Sequence, residues 1–270
     1  RDVATAMISL ADLLRERAEF NEAEALYRDA YAIRKKVFGE VHPAVAASLM
    51  DLGTIKRKQK KPEEAEAFFR EALAMWKETL GAEHRQVSVC LNLLALSVQD
   101  QGDLDRAEAV FRERLAMVRK SSEAGENDLA EAVNNLASLL VHKNSLDAAE
   151  TMLREALALR RKALSYGHPA LRESLGNLAY LLDKQSKYTE AEPLHREFLE
   201  MAKACLPEGH RETMGVLERL GNNLLKQKKW GEAESAFQEC LAIMEPKLGP
   251  DSARVAEARH LLAEARAELR

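Results

Sequence analysis

Hydrophobic and polar residues alternate along this chain with a helical period, and that alternation is itself repeated. Between Leu129 and Val141, apolar residues recur at intervals of three and four, which predicts a helix with one apolar face. A short polar break at 142–145 follows, and a second stripe of the same kind runs from Ala149 to Leu159. The pattern therefore predicts pairs of amphipathic helices joined by short turns.

The helix pairs recur with a period of 42 residues. The dipeptide Ala-Glu occurs six times in this register, at 23–24, 65–66, 107–108, 149–150, 191–192 and 233–234. A leucine followed by a small residue recurs in the same register, beginning with Leu10-Ala11 and Leu52-Gly53. One helix pair cannot bury its own apolar faces, whereas stacked neighbours share a continuous core, so we expect an α-solenoid.

The period also sets the expected boundaries. We predict a single repeat domain over 1–270, with six helix pairs and a C-terminal capping helix. The repeats are expected at about 1–42, 43–84, 85–126, 127–168, 169–210 and 211–251, and the capping helix at 252–269.

Four histidines share one repeat position, at the junctions between helix pairs: His42, His84, His168 and His210. Zinc would require ligand nitrogens about 2.0–2.1 Å from the ion, whereas packed helices lie about 8–10 Å apart. Equivalent histidines of successive repeats therefore cannot share a metal ion. We interpret them as junction residues near helix starts, and we expect no metal and no cofactor.

Charge and composition exclude several classes of function. The chain has 40 basic and 44 acidic residues, a balance that argues against nucleic acid as the main partner. It has no uncharged apolar run long enough to span a bilayer, so we expect no membrane partner. Three cysteines without a CxxC motif favour a reducing, cytoplasmic location. No nucleotide-binding loop or catalytic motif is present, so we expect no enzymatic activity.

Two further charge patterns have a structural interpretation. In five repeats the glutamate of Ala-Glu precedes an arginine by four residues, as in Glu24 and Arg28, and we expect these pairs to lie on a solvated outer face. The basic run from Lys56 to Lys61 falls at the end of a first helix, where we expect a solvated helix end.

The residues at the fixed positions resemble the tetratricopeptide repeat. Its signature, a leucine-small pair, then alanine, an aromatic residue and alanine, is matched by Leu52-Gly53, Ala65, Phe69 and Ala72. The 42-residue length and the Gly-x-x-His-Pro junction resemble the repeats of kinesin light chain and its bacterial relatives. This resemblance implies a right-handed superhelix of six helix pairs, whose first helices line a concave surface.

The resemblance also implies binding residues. Asn134-Asn135-Leu136-Ala137 matches a kinesin light chain motif whose concave asparagines hold extended peptides. An amide can both donate and accept a hydrogen bond, so it can hold a peptide backbone without selecting a side chain. We therefore expect a protein or peptide ligand in the concave groove. The predicted peptide-binding residues are Asn92, Asn134, Asn135, Asn177, Tyr180, Asn222 and Arg57.

Two questions remain open from the sequence. The later inner rows carry Glu131, Glu173, Asp183 and Glu218, so a mixed-charge or basic ligand is as consistent as an acidic one. The alternative function is a sensor or autoinhibitory arm of a larger signalling protein, such as a STAND-type ATPase.

The N-terminal end of the repeat array has no polar capping helix, which predicts weak self-association through that end.

Overall fold

The computed structural model describes residues 2–121 and 124–269 of the chain. This part of the chain contains thirteen α-helices and no strand. The helices are α1 (Asp2–Glu16), α2 (Phe20–Phe38), α3 (Pro43–Lys58), α4 (Pro62–Leu80), α5 (Arg85–Asp100), α6 (Leu104–Lys120), α7 (Glu126–His142), α8 (Leu146–Ala163), α9 (Pro169–Lys184), α10 (Tyr188–Cys205), α11 (Arg211–Lys226), α12 (Trp230–Leu248) and α13 (Ala253–Ala267).

The chain forms two compact units, divided within α7 between Leu139 and Leu140. In the first unit, α1 to α5 each pack against the next helix in the chain, and the first helices α3 and α5 also touch each other. In the second unit, α8 to α12 pack in the same way, and α11 also touches α13. Contacts between neighbours along the chain define an α-solenoid in each unit, which confirms the predicted all-α class. The assignment of all residues to one domain stays a prediction.

The repeat register determines where helices begin and what they bury. All six second helices start 42 residues apart, from Phe20 to Trp230. Five of the repeated leucines, at 52, 94, 136, 178 and 220, are only 1–3% exposed. The position four residues after the Ala of Ala-Glu is also buried, and in α4 its side chain, Phe69, lies directly against Gly53 of α3.

The turn inside each helix pair contains a residue in the left-handed backbone conformation. The same repeat position has a positive φ in all six pairs: Ala18, Lys60, Gly102, Asn144, Ser186 and Lys228. Only the third pair has glycine there, so five pairs hold a side chain in a backbone conformation that disfavours it by about 1–2 kcal/mol. The packing of the two helices against each other imposes this geometry regardless of residue type.

The four junction histidines lie at helix N-caps, as predicted. In each case the ring Nδ1 accepts a hydrogen bond from the backbone N–H two residues later, with N···N distances of 3.0–3.2 Å. These bonds satisfy backbone donors that the first turn of a helix leaves without a partner.

The prediction that the Glu-Arg pairs lie on a solvated outer face is wrong for the glutamates, whose side chains are largely buried. Glu150 accepts hydrogen bonds from Arg154 on its own helix and from Lys187 of the next pair, at 2.6 Å, and its side chain is 15% exposed. Glu24 contacts Arg28 and Lys56 in the same way. The glutamate of Ala-Glu therefore connects successive helix pairs within a unit.

Lys56 is buried, contrary to the prediction that the basic run is a solvated helix end. Its side chain is 5% exposed, and its ammonium group lies 3.0 Å from Glu24 and 2.8 Å from Glu64. The neighbouring helix α2 covers the start of the basic run, which the sequence of α3 alone does not reveal.

Candidate peptide-binding surface

Two of the predicted residues of the first unit, Asn92 on α5 and Asn135 on α7, contact each other. Asn135 Nδ2 donates a hydrogen bond to Asn92 Oδ1 at 2.7 Å, and both side chains are half-buried. The same Asn92 oxygen accepts from Arg114 Nη1 of the second helix α6 at 2.9 Å. The buried Arg114 thus holds the Asn92 amide in a fixed orientation, and Asn92 in turn bonds to Asn135 of the next first helix.

Arg114 was not among the residues predicted from the sequence. Its guanidinium group also donates to Ser88 Oγ at 3.2 Å and to Glu131 Oε1 at 2.9 Å, and the residue is 4% exposed. It stands at the repeat position of the second alanine in the family signature, which is Ala72 in the preceding pair. The sequence signal that could have identified it is a long cation at a position that is alanine or cysteine in four of the other five pairs.

A cavity of about 160 Å³ opens beside this network, between the first halves of α5 and α7. Apolar side chains of α5 and α6, among them Val89, Met117 and Val118, form part of its wall, and Asn92 and Arg114 contribute polar atoms. Acidic and basic side chains both line it. The remaining lining residues are Glu83, Arg85, Ser88, Ser121, Ala124, Asp128 and Glu131. A cavity of this size, with a few oriented polar groups on an apolar wall, is suited to a single side chain of a ligand.

Arg57, the earliest predicted residue, lies on α3 and contacts the next first helix. Its Nε donates to Asp100 Oδ2 of α5 at 2.5 Å, and the arginine side chain is 29% exposed. The pair links α3 to α5, and part of the guanidinium group stays accessible.

Asp51, on the same helix, lies near a second carboxylate. Burial raises the pKa of Asp51 to about 7, and the charge of Asp12 on α1 adds to the increase. Asp12 itself accepts a hydrogen bond from Tyr27 at 2.7 Å and pairs with Arg15 at 2.9 Å. The first two pairs therefore hold one carboxyl group that titrates close to neutral pH.

Asn134 lies in the interior instead of on the surface, with 1% of the residue exposed. Consecutive residues of a helix point about 100° apart, so the partial exposure of Asn135 does not bring Asn134 to the surface. A direct contact requires an accessible amide, so we treat Asn134 as a packing residue and leave it out of the proposed surface.

The second unit carries the other three predicted residues on α9 and α11. Asn177 is half-buried, and Tyr180 is 48% exposed with Lys184 Nζ 5.9 Å from its ring centroid. Asn222 is exposed, and its Nδ2 donates to the Glu218 carbonyl of its own helix at 3.0 Å. Tyr180 and Asn222 are exposed and Asn177 is partly exposed, so a ligand can reach each of the three side chains.

The inner carboxylates are paired within their units. Glu131 contacts Arg114, Glu173 contacts Arg160 at 3.2 Å, and Glu218 accepts from Arg254 at 3.0 Å. Asp183 lies 2.7 Å from His195, a fully buried residue at the position of the aromatic ring in other pairs. These carboxylates therefore do not by themselves make the surface acidic, and they do not decide the charge of a ligand.

The helices and the titratable side chains of the described residues also bear on membrane and metal binding. Among residues 2–121 and 124–269, no helix has the length and apolar character to cross a membrane. Within the same part of the chain, no group of three or more His, Cys, Asp and Glu side chains is arranged to hold a metal ion.

The family model of the tetratricopeptide repeat matches residues 2–78, 46–120, 128–204 and 212–270. These matches cover most of the chain, which therefore belongs to the tetratricopeptide repeat family. Repeats of this family generally mediate protein–protein interactions. A comparison with curated proteins gives no match.

Solved structures with the same fold include two of the kinesin light chain type. The chain is 19% identical to the TPR-like repeats of a kinesin light chain from Podosopora anserina, with a TM-score of 0.67, covering 77% of this chain and 99% of that one. It is 24% identical to BtubC (BKLC) from P. vanneervenii, with a TM-score of 0.65, covering 73% of this chain and 79% of that one. The tetratricopeptide repeat predicted from the sequence is therefore confirmed by the family model, and the likeness to these kinesin light chain structures shows a common fold.

A third structure has a different domain context. The STAND protein with a tetratricopeptide repeat sensor from Pyrococcus horikoshii is 14% identical, with a TM-score of 0.79. The match covers 98% of this chain and 39% of that protein. At this identity the likeness shows the fold alone.

Proposed function

We propose that this chain is a non-catalytic scaffold that binds an extended segment of a partner protein across its first helices. The observation that carries the proposal is the network of Asn92, Asn135 and Arg114 beside the cavity between α5 and α7. The two amides offer hydrogen bonds to a peptide backbone, and the cavity receives one side chain. In the second unit, Asn177, Tyr180 and Asn222 supply separate contacts of the same kind.

Rigid positioning supports binding at this site. Arg114 already orients the Asn92 amide, so a ligand does not have to immobilise it, and less conformational entropy is lost on binding.

We place the protein in the cytoplasm. Its three cysteines are free thiols, which supports a reducing compartment.

A peptide-display selection on the purified chain tests the proposal. Enriched peptides should bind the native chain and lose at least about fivefold in affinity on the double variant Asn92→Ala/Asn135→Ala, since each of the two hydrogen bonds contributes about 0.5–1.5 kcal/mol. Gln238→Ala is the matched control, because this amide lies on the second helix α12, where it contacts Glu234. Peptides that bind both variants equally well would refute the assigned surface.

The alternative is a sensor or autoinhibitory arm of a larger signalling protein, as the architecture of the P. horikoshii protein illustrates. A selection that enriches no peptide, with helicity unchanged by circular dichroism, would favour this alternative over the scaffold.

A further inference from the structure

The cavity between α5 and α7 carries more negative than positive charge in its lining. Three acidic and two basic side chains contribute to it: Glu83, Asp128, Glu131, Arg85 and Arg114. The excess of negative charge is greater at the opening, because Arg114 is 4% exposed whereas the other four residues are exposed or half-exposed. The chemistry of these groups therefore bears on which ligand side chain the cavity accepts.

Arg114 does not offer its charge to an anionic ligand. Its three side-chain nitrogen atoms already donate hydrogen bonds to Ser88, Asn92 and Glu131, at 3.2, 2.9 and 2.9 Å. The carboxylate of Glu131 also balances the positive charge of the guanidinium group. A ligand carboxylate would have to displace one of these partners and would lose the hydrogen bond that it replaces.

The carboxylates of the lining keep the capacity to accept further hydrogen bonds. Glu131 uses Oε1 for Arg114, and its side chain is 42% exposed. Asp128 accepts at Oδ2 from the Gly125 N–H at 3.2 Å. A carboxylate has about four lone-pair positions on its two oxygens, so these two groups and the exposed Glu83 can all receive N–H groups of a cation.

The apolar part of the wall suits a straight aliphatic stem and is formed by Val89, Met117 and Val118. Lysine combines a flexible four-carbon stem with a compact ammonium group that donates three hydrogen bonds. Its stem can cover the apolar wall while its charged end stays at the accessible carboxylates. A purely apolar side chain would bring no partner for the carboxylates, and an acidic one would add a repelling charge.

We propose that the cavity between α5 and α7 binds a lysine side chain of the partner segment, with the stem on the apolar wall and the ammonium group at Glu83, Asp128 and Glu131. The inference rests on the proposed function, because it names the residue that an extended segment inserts beside Asn92. It makes the segment basic at this point, where the sequence leaves the charge of the ligand open.

Nα-acetyl-lysine N-methylamide is the probe, because it presents the side chain without requiring a particular peptide sequence. Its binding to the full chain is followed by the methyl NMR signal of Met117, which the variant Met117→Leu identifies among the eight methionines. This signal should shift in a saturable way. The norleucine analogue, which has the stem without the ammonium group, should bind at least about threefold more weakly, and the glutamate analogue should produce no saturable shift.

A double variant tests the role of the carboxylates. Glu83→Gln with Asp128→Asn removes two negative charges and keeps the Arg114 network, so it should weaken binding of the lysine probe at least about threefold and leave the norleucine analogue unchanged. The matched control is Glu63→Gln with Glu71→Gln, which removes the same charge from exposed positions on α4 and should leave both probes unchanged. Unchanged circular dichroism of both double variants verifies the fold.

Equal binding of the lysine and norleucine probes, tighter binding of the glutamate analogue, or an undiminished lysine affinity of Glu83→Gln/Asp128→Asn would each overturn the proposal, as would the absence of any Met117 shift. Failure of the proposed function gives a different result. Display-selected peptides that depend on Asn92 and Asn135 but contain no lysine would keep the scaffold and overturn the lysine site. A lysine-selective cavity without any enriched peptide would keep the lysine site and refute the binding of an extended segment.

Discussion

The close contact between Gly53 and Phe69 gives the sharpest prediction about stability. A Cβ atom added at Gly53 would lie 2.6 Å from Cε1 and 2.8 Å from Cδ1 of the Phe69 ring. Carbon atoms prefer separations of about 3.5–4.0 Å, so the ring would have to move by about 1 Å. Phe69 is fully buried, and such overpacking destabilises by about 1–3 kcal/mol.

Helix propensity acts in the opposite direction. Replacing glycine by alanine inside a helix stabilises by about 1 kcal/mol when nothing else changes. Gly215 in α11 provides that reference, because an added Cβ meets no atom within 4 Å. We therefore expect Gly215→Ala to stabilise by about 1 kcal/mol and Gly53→Ala to be neutral or destabilising by up to about 2 kcal/mol. The lower limit reflects the third repeat, where Ala95 and Phe111 occupy the equivalent positions.

Equilibrium unfolding in urea measures the difference. For Gly53→Ala, the fluorescence of buried Trp76 follows the first unit when the other tryptophan is removed by Trp230→Phe. For Gly215→Ala, the fluorescence of Trp230 follows the second unit when Trp76 is replaced by Phe. A double variant, Gly53→Ala with Phe69→Leu, removes the ring atoms that the new methyl group meets. Its loss of unfolding free energy should therefore be smaller than the sum of the losses in the two single variants. Equal stabilisation by Gly53→Ala and Gly215→Ala would refute the role assigned to the close approach.

Three further predictions concern the backbone and titration. Ala18→Gly should stabilise by about 1 kcal/mol, because φ is +62°, whereas Gly102→Ala should destabilise by a similar amount in thermal unfolding. Burial raises the pKa of Asp51 to about 7, so its contribution to stability is greatest below about pH 4 and is lost as pH rises through 7. A rise of about three pKa units corresponds to about 4 kcal/mol, so replacement by Asn should stabilise at pH 8 by up to about this amount, and an unchanged slope of stability against pH would contradict this. The hydrogen bond from Lys187 lowers the pKa of Glu150, so their pairing stabilises the fold above about pH 4.5, and this stabilisation is lost as pH falls further. Lys187→Ala should therefore make the stability of the second unit fall less steeply with decreasing pH in acid unfolding.

Much of the architecture was determined by the sequence, because each repeat has to bury the same faces. The 42-residue register fixed the helix pairs, the capped junction at His42 and the buried leucines without reference to any distant contact. Local rules suffice here: apolar spacing defines a helix, and capping residues and glycine define its ends.

The candidate site depended on contacts that the register does not specify. Asn134 and Asn135 are adjacent in the sequence, yet one is buried and the other bonds to Asn92, because the packing of α7 decides which side of the helix faces its neighbours. Arg114 is unusual for its repeat position, but only the packing of α5 and α7 against α6 gives it Ser88 and Glu131 as partners.

Burial of charge was decided in the same way. Lys56 belongs to a basic run that suggests a solvated helix end, but α2 covers it and supplies Glu24. Conversely, Leu10 has the sequence of a core leucine and is half-exposed. The sequence determines which face of a helix is apolar, whereas only the tertiary structure decides whether a neighbour covers that face, because burial is a property of two surfaces and not of one.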